Sequence, residues 1–382
     1  MYISGELIMI KILHVISKIH QGSGIASVIM NYYRNIDRNK IQFDFLVSST
    51  EGGEEYISEI KRYGGEIYYL PKLKLTNFNN FIKEMDSFFY QNGNQYTAIH
   101  SHFYQLDGIL FPIAKKYGVK ECISHSHNTK FSDYKVRAIR NYLMSRPLKK
   151  YSTKWMACSK KAGKLLFGKS FFNSPKSKIL NNAIDCKRYI YNEEIRENKR
   201  KEFGLENKFV VGHVGRFSPQ KNHKFLINVF NKIKKNNNNA VLVLVGTGSL
   251  MKSVQDQVKK YNLENDVLFL GQRHDVHHLL QMFDVLIFPS LFEGLGIALV
   301  EAQAADLPCV YSDVIPDEVN ILESNEVLSL NESYDVWADA ALKYQNKKRS
   351  SSAVKEIKKA GYCIENEAKN LLQFYMNIAY EE

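Results

Sequence analysis

Short apolar runs alternate with amphipathic stretches along nearly the whole chain. The apolar runs predict strands near residues 10–16, 43–47, 66–70, 98–102, 122–127 and 154–157 and, further on, near 210–214, 240–245, 267–270, 285–288 and 308–311. Between them, apolar residues recur at helical spacing, for example over 27–34, 108–116, 224–234, 251–261 and 297–304. Strands that alternate with helices in this way indicate parallel α/β sheets.

The alternation of strands and helices starts afresh near residue 205, after a polar and highly charged stretch at 191–207. We therefore predict two α/β domains, residues 1–186 and 187–362, each an open sheet with helices on both faces. The tail after Ala360 has a helical pattern.

Length and composition agree with two domains, since 382 residues of which 45% are hydrophobic suffice for two cores. Lys11 interrupts the apolar start, which has no basic segment before it, so we interpret it as a buried strand rather than a signal peptide or membrane span. The five cysteines are widely spaced, which predicts reduced thiols in the cytoplasm.

The positive charge lies almost entirely in the first half. Residues 1–186 carry 27 Lys and Arg against 14 Asp and Glu, and residues 130–178 carry 14 basic side chains and one acid, Asp133. Such an excess indicates an anionic partner, for which nucleic acid, anionic lipid and a phosphorylated acceptor all qualify, or else a lysine-rich solvated surface.

A pair of glutamates follows the strand at 285–288. Glu293 precedes a helix that two glycines open, and Glu301 lies about 8 Å further along it, at 1.5 Å per residue. In parallel sheets ligands bind beyond the carboxyl ends of the strands, and a helix start attracts phosphate. If a diphosphate binds there, one carboxylate can accept hydrogen bonds from sugar hydroxyls and the other from ribose hydroxyls. The alternative is that Glu293 is only favoured by the helix dipole and Glu301 is an exposed glutamate of the helix.

Two further loops follow strands in the same half. Gly215 allows a tight turn, after which Arg216 and Lys221 are placed to neutralise a diphosphate without a metal. The alternative is a pair of ordinary loop cations. Gly246 and Gly248 come after the next strand and by themselves indicate only a turn.

Histidines gather at strand ends in the first half: His14, His20, His100, His102, His125 and His127. The two H-S-H pairs favour a site, although single strand-end histidines are usually structural. No Cys, Asp or Glu completes a metal site with them, so we predict no metal. The first loop, with Gly24, lacks the spacing of the dinucleotide fingerprint and does not favour NAD.

Several of these blocks together resemble the family 4 retaining glycosyltransferases, most closely those of bacterial exopolysaccharide and capsule synthesis. The blocks, in family order, are the glycine-containing first loop, HSH at 100–102, a second histidine strand, ACS, NAID, VGRFSPQKNH, LVGTG, LGQRHDV and LFEGLGIALVEAQAADLPCV. The resemblance runs from about Ile10 to about Pro308. It implies the GT-B fold, two Rossmann-like domains facing across a cleft, with the last helix, about 363–382, packed back on the first domain.

The resemblance also implies roles for residues of this chain. Arg216 and Lys221 resemble the pair that binds the donor diphosphate, Glu293 the glutamate at the donor sugar, and Glu301 the one at the ribose. His127 resembles the active-site histidine, with His125 as the competing assignment. The remaining implied donor contacts are Gly24, Gly246, Gly248, Arg273 in the loop at 271–276, Gly294, Leu295 and Gly296. Departures from the family pattern are Ser23, Ala183 and Asp306.

The implied reaction is transfer of a sugar from a nucleoside-diphosphate donor, a UDP-sugar, to a hydroxyl of a growing lipid-linked surface glycan, with retention and without metal or cofactor. One rival is a nucleotide-sugar 2-epimerase of the same fold. A more remote one is a non-enzymatic nucleic-acid binder, which the absence of any nucleic-acid motif disfavours. The basic first domain predicts a cytoplasmic protein that docks on the anionic inner face of the cell membrane.

Overall fold

A computed structural model describes residues 9–20, 22–71, 73 and 77–380. The chain divides into two compact units. The first unit consists of two segments, one that ends at Ala183 and one that begins at Ile364. The second unit runs from Ile184 to Cys363. The predicted division after residue 186 lies a few residues beyond this point.

The first unit is built on parallel strands that alternate with helices. Its strands are β1 (Ile10–Ile16), β2 (Ile41–Val47), β3 (Ile67–Tyr69), β4 (Ala98–Ser101), β5 (Glu121–Ser126), β6 (Lys154–Ala157) and β7 (Ser177–Ile179). Its helices are α1 (Gly24–Asn35), α2 (Glu54–Arg62), α3 (Phe78–Asn92), α4 (Asp107–Lys116), α5 (Lys135–Ser145), α6 (Leu148–Tyr151) and α7 (Lys160–Phe167).

The second unit repeats the same plan. Its strands are β8 (Phe209–Val214), β9 (Ala240–Val245), β10 (Val267–Phe269), β11 (Val285–Phe288), β12 (Cys309–Ser312) and β13 (Glu326–Leu328). Its helices are α8 (Cys186–Tyr189), α9 (Glu193–Glu202), α10 (His223–Asn236), α11 (Met251–Lys260), α12 (Val276–Met282), α13 (Ile297–Ala304), α14 (Tyr334–Leu342) and α15 (Val354–Lys359). The last helix, α16 (Ile364–Tyr380), packs against α1 and β1 of the first unit.

Both sheets have the strand order of a Rossmann fold. The order is β3-β2-β1-β4-β5-β6-β7 in the first unit and β10-β9-β8-β11-β12-β13 in the second, and all the pairings are parallel. In each sheet the order reverses beside the first strand, between β1 and β4 and between β8 and β11. Ligands bind at this switch point in open parallel sheets.

Burial explains why the strands were readable from the sequence. Every residue of β9 is buried, as are all those of β8 except Val214, so these central strands are continuous apolar runs rather than alternating ones. Phe217, Leu226, Phe230 and Trp337 fill the core of the second unit, and Phe81, Phe89 and Phe111 that of the first.

The prediction for the cysteines is wrong for one pair. Cys186 and Cys363 form a disulfide, with their Cα atoms 5.4 Å apart although 177 residues separate them in sequence. They meet because Ile184 and Cys363 form a parallel β-bridge. In this bridge the amide of Ile184 donates to the carbonyl of Tyr362 at 2.8 Å. Spacing along the chain therefore says nothing about this pair. Cys122, Cys158 and Cys309 are buried free thiols.

Candidate active site

The loops after β8, β9, β10 and β11 are joined by hydrogen bonds at the carboxyl edge of the second sheet. The amide of Phe217 donates to the carbonyl of Thr247 at 2.9 Å, and that of Gly246 donates to Gly271 at 2.7 Å. On the other side of β8, the amide of Leu291 donates to the carbonyl of Gln220 at 2.8 Å. The predicted donor-binding motifs thus lie together around the switch point of this sheet.

Gly246 and Gly248 are needed for the close approach of two of these loops. A Cβ on Gly246, whose φ is 135°, would lie 2.2 Å from the carbonyl oxygen of Gly215. One on Gly248 would lie 2.5 Å from that of Phe217. Any side chain at either position would push apart the loop that carries Arg216, so the glycines position this loop whatever else they contact.

Glu293 is held in place by two side chains from the loop after β8. It is 6% exposed, and Lys221 Nζ lies 2.7 Å from its Oε1. Gln220 Nε2 donates to Oε2 at 3.1 Å. Lys221 Nζ also lies 4.3 Å from the centre of the Phe288 ring. A partly buried lysine in contact with a buried glutamate at a strand end gives a fixed carboxylate acceptor beside a fixed cation.

Arg216 has a different environment from Lys221. Its side chain is exposed, and it makes no hydrogen bond or ion pair with any residue that the structure describes. Its own backbone is fixed, because the amide of Ser218 donates to its carbonyl at 2.7 Å. The guanidinium is thus presented to solvent on a rigid loop.

The second glutamate lies within α13, after the buried residues Gly294, Leu295 and Gly296. Gly296 has φ 96° at the start of this helix, a conformation that glycine adopts without strain. Glu301 is partly buried, and the hydroxyl of Tyr189 donates to its Oε1 at 2.9 Å. Burial raises the pKa of the Glu301 carboxyl to about 7.

Arg273 is engaged by its own loop. Its Nε and Nη2 donate to the two carboxylate oxygens of Asp275, both at 2.8 Å, and Lys199 Nζ lies 2.9 Å from the same carboxylate. These hydrogen bonds hold the pKa of Asp275 well below its usual range. The predicted contact of Arg273 with the donor stays a prediction.

Two of the departures from the family pattern are accommodated locally. Asp306 has φ 53°, a left-handed conformation after α13 that explains why glycine is usual there, and its carboxylate accepts from the amide of Ser350 at 2.6 Å. Ser23 caps α1 by accepting from the amide of Ala26 at 3.4 Å. Gly24 follows it, exposed and with open space where a Cβ would lie.

In the first unit, five histidines in β1, β4 and β5 or directly after β4 and β5 pack together at the switch point of the sheet. His14 and His100 are register partners in neighbouring strands. His127 Nε2 lies 2.7 Å from His102 Nδ1, and His102 Nε2 lies 3.0 Å from His14 Nδ1. We name this row, His127–His102–His14, the histidine line.

The competing active-site assignments, His125 and His127, differ in exposure. His125 is 1% exposed, and its Nδ1 lies 3.1 Å from His100 Nε2, whereas part of His127 reaches solvent beyond the end of β5. His127 is therefore the more accessible of the two rings, and the choice between them stays a prediction. Burial lowers the pKa of His127 to about 3, so the ring is neutral at physiological pH.

The cluster also brings together nitrogen atoms that suit a metal. The groups His14, His100, His102 and His102, His125, His127 each have ligand atoms within 4.8 Å of one another. The sequence indicated that these histidines gather at strand ends, but spacing along the chain does not show which of their nitrogen atoms approach one another. The absence of a metal stays a prediction.

Three residues that the sequence did not single out now have a defined place. Gln220 and Tyr189 hold the two glutamates. The hydroxyl of Tyr375, in α16, lies 2.6 Å from His100 Nδ1. Gln220 adjoins Lys221 in the sequence and could have been noticed there, but no local signal links Tyr189 or Tyr375 to their partners.

Comparison with known proteins shows the family of this chain. Residues 195–362 match the family model "Glycosyl transferases group 1". A putative glycosyltransferase of Bacillus subtilis, EpsF, is 33% identical over 379 residues, which cover 97% of each chain. The chain belongs to the group 1 glycosyltransferases. A second member of the family is an Escherichia coli enzyme named UDP-Gal:alpha-D-GlcNAc-diphosphoundecaprenol alpha-1,3-galactosyltransferase, 29% identical over 80% of this chain and 79% of that one.

Solved structures confirm the predicted fold class. The Anabaena protein HepE, crystallised in complex with UDP-glucose, superposes with a TM-score of 0.76 at 18% identity, covering 96% of this chain and 99% of that one. Two Rossmann-like α/β domains of this kind form the GT-B fold. The chain is thus a GT-B glycosyltransferase.

Proposed function

We propose that the enzyme transfers a sugar, with retention, from a UDP-sugar to a hydroxyl of a growing lipid-linked surface polysaccharide. The main support for donor binding in the second unit is the Lys221–Glu293 pair, which lies at the switch point of the second sheet beside the loop of Arg216. In this reading Arg216 and Lys221 bind the diphosphate, Glu293 accepts from hydroxyls of the donor sugar, and Glu301 accepts from the ribose. Gly24, Gly294, Leu295 and Gly296 approach the donor through their backbones, and His127 is the histidine of the reaction.

Two routes to the proposed retention differ in whether a carboxylate acts as the nucleophile. A retaining glycosidase needs a free carboxylate nucleophile, but both oxygens of Glu293 already accept hydrogen bonds from Lys221 and Gln220. We therefore propose front-face displacement. The bond from the anomeric carbon to the phosphate oxygen breaks, the acceptor oxygen bonds on the same face, and its proton passes to the departing phosphate.

The leaving group is a diphosphate whose charge increases as this bond breaks. Preorganised cations that face such charge supply electrostatic stabilisation of the transition state. Arg216 and Lys221 provide it in our proposal, so no metal ion is needed for the chemical step, and no cofactor besides the donor is involved.

The assay that tests this function incubates the purified enzyme with UDP-, GDP- and TDP-sugars and a polyprenyl-diphosphate glycan acceptor. We expect transfer from a UDP-sugar, an axial product linkage by NMR if the donor is axial, and an undiminished rate in EDTA. Loss of transfer in EDTA that Mn²⁺ or Mg²⁺ restores would contradict the cation mechanism. An isomerised nucleotide sugar formed without acceptor would identify an epimerase instead.

For the acceptor side we propose docking on an anionic membrane through the basic first unit. The name of the Escherichia coli relative specifies a lipid-linked acceptor. In this chain, Arg137, Arg146, Lys149, Lys150 and Lys164 are exposed cations on or next to α5, α6 and α7. No helix among the described residues is long and apolar enough to cross a membrane. We propose that the enzyme lies in the cytoplasm and that these exposed cations dock it peripherally on the inner face of the cell membrane.

Helix α5 adds an apolar component to this surface. Val136, Ile139 and Leu143 lie on one face of the helix and are 81%, 61% and 60% exposed, with Tyr134 and Tyr142 beside them. Exposed cations at Lys135, Arg137 and Arg140 border this face. Apolar side chains rimmed by cations are the pattern of a helix that lies in the membrane interface.

Vesicle sedimentation tests the docking surface. Each cation near an anionic bilayer contributes about 1 kcal/mol, so Lys149→Glu with Lys150→Glu should weaken binding to phosphatidylglycerol vesicles at least about tenfold. Ile139→Ser with Leu143→Ser should also weaken it, and high salt should release the wild type. The control, Lys358→Glu with Lys359→Glu, makes the same charge change at exposed positions of the second unit. Equal binding to pure phosphatidylcholine vesicles, or equal loss in the control, would contradict the proposal.

A further inference from the structure

The histidine cluster contains more imidazoles than the proposed reaction uses. Only His127 has a role in it, yet His14, His100, His102 and His125 are also buried. Burial lowers the pKa of His14 to about 3 and those of the other three well below the usual value. All five rings are therefore neutral, and each carries one N–H and one bare nitrogen.

Neutral imidazoles in a hydrogen-bonded row cannot choose their tautomers independently. In the histidine line, His102 uses both ring nitrogens, Nδ1 toward His127 and Nε2 toward His14. If His14 donates, His102 must accept at Nε2 and donate from Nδ1, and His127 must then accept at Nε2. If His127 donates instead, every proton in the line moves to the opposite nitrogen. One end of the line thus decides the tautomer at the other.

The inner end of the line is buried. His14 Nε2 has no hydrogen-bond partner among the described residues. The centroid of the His14 ring lies 4.3 Å from that of Phe43, and the ring lines a cavity of about 10 Å³ together with apolar side chains, Tyr32 and the other buried histidines. An orphaned buried N–H is rarer in proteins than an under-used acceptor. His14 therefore carries its proton on Nδ1, and Nε2 is the bare atom.

We infer that His14 and His102 are positioning residues that hold His127 in its Nδ1–H form, so that His127 offers substrate a hydrogen-bond donor and not a basic nitrogen. The inference rests on the proposed role of His127 in the reaction. Proton flow along the line is not required. His102 donates a hydrogen bond to Nε2 of His127. Nδ1 of His127 therefore carries the proton and can donate it to an oxygen of the bound sugar or diphosphate.

A metal centre explains the same residues less well. His100 and His102 each use both ring nitrogens in hydrogen bonds, His100 with Tyr375 and His125, and His102 with His127 and His14. A metal ion in either three-histidine group would have to break one or more of these bonds. The short contacts run from ring to ring in rows, as in a hydrogen-bond network.

The tautomer of His127 is measured directly on the full chain labelled with ¹⁵N-histidine, by long-range ¹H–¹⁵N correlation at pH 7 with His127→Gln for assignment. We expect His127, His102 and His14 all in the Nδ1–H form. His102→Phe, which keeps a ring but no nitrogen, should let His127 shift to the Nε2–H form that imidazole prefers in water. His102→Gln should restore Nδ1–H, since an amide both donates and accepts.

The matched control is Tyr375→Phe, which removes one hydroxyl from the other hydrogen-bonded row of the same cluster and should leave the His127 signals unchanged. Nε2–H or charged His127 in the wild type would overturn the inference, as would stoichiometric zinc bound to the purified untagged chain. A His127 tautomer that is unaffected by His102→Phe would overturn it too, provided the circular dichroism spectrum shows that the variant is folded.

Kinetics separate this inference from the proposed function. His102→Phe should lower kcat about tenfold with little change in the KM for donor, and His102→Gln should recover most of the rate. If His127→Gln transfers sugar at the wild-type rate, the proposed role of His127 fails, while the NMR result still decides whether the line sets its tautomer. If His127→Gln is inactive but His102→Phe is fully active, the positioning role is wrong.

Discussion

Glu293→Gln is expected to lower kcat at least about 100-fold, because a preorganised electrostatic contact to the reacting sugar contributes about that much. The change keeps the size of the side chain but removes its charge. Lys221 then loses the counterion 2.7 Å from its Nζ, and Gln220 faces an amide in place of a carboxylate. Both the acceptor for sugar hydroxyls and the position of the cation are disturbed by one substitution.

Steady-state transfer and donor hydrolysis measure this effect, with Glu264→Gln as the control at an exposed position of the same unit. The thermal unfolding temperatures of variant and wild type show whether the fold is intact. A rate within a few-fold of the wild type would place Glu293 outside the reaction and leave the Lys221–Glu293 contact as a structural ion pair.

Arg216→Ala is the second substitution with a large expected effect, again at least about 100-fold in kcat. Unlike that of Lys221, the side chain of Arg216 is exposed and makes no hydrogen bond in the described part of the chain, so its removal leaves no buried group unpaired. The loss should therefore appear in catalysis and not in stability. Arg216→Lys should recover only part of the rate, because an ammonium cannot make the two parallel bonds of a guanidinium.

The matched control for this variant is Arg62→Ala, an exposed arginine of the first unit. A fall in kcat with the donor KM little changed would mean that Arg216 acts mainly on the leaving group in the transition state. Equal rates for Arg216→Ala and the control would remove Arg216 from the site.

The central strands were predictable because strands buried on both faces appear in the sequence as continuous apolar runs. β1, β6, β9 and β11 have the predicted bounds, and α13 does as well. β7 and β13 were not predicted, because each is three residues long and includes polar residues, SKI and EVL. The edge strands β3 and β10 are equally short but consist of apolar and aromatic residues, IYY and VLF, and were predicted.

The site shows the same division between local and distant information. Glu293, Lys221 and Arg216 stand out because glycines and charged residues follow strands in short motifs. That Lys221 binds Glu293 across 72 residues, or that Tyr189 binds Glu301 across 112, depends on which strands are neighbours. The sequence offered both glutamates as candidates and no partner for either.

From its residues alone, this chain specifies parallel α/β architecture, two domains that divide close to residue 186, and the motifs that its glycosyltransferase family shares. These features depend on the spacing of apolar residues and on motifs whose residues are close together in the chain. The Cys186–Cys363 bond, the Asp306 turn conformation and the histidine line were decided only by tertiary structure. Each depends on segments brought together by strand order and chain path, and no pattern along the sequence records which distant ends will meet.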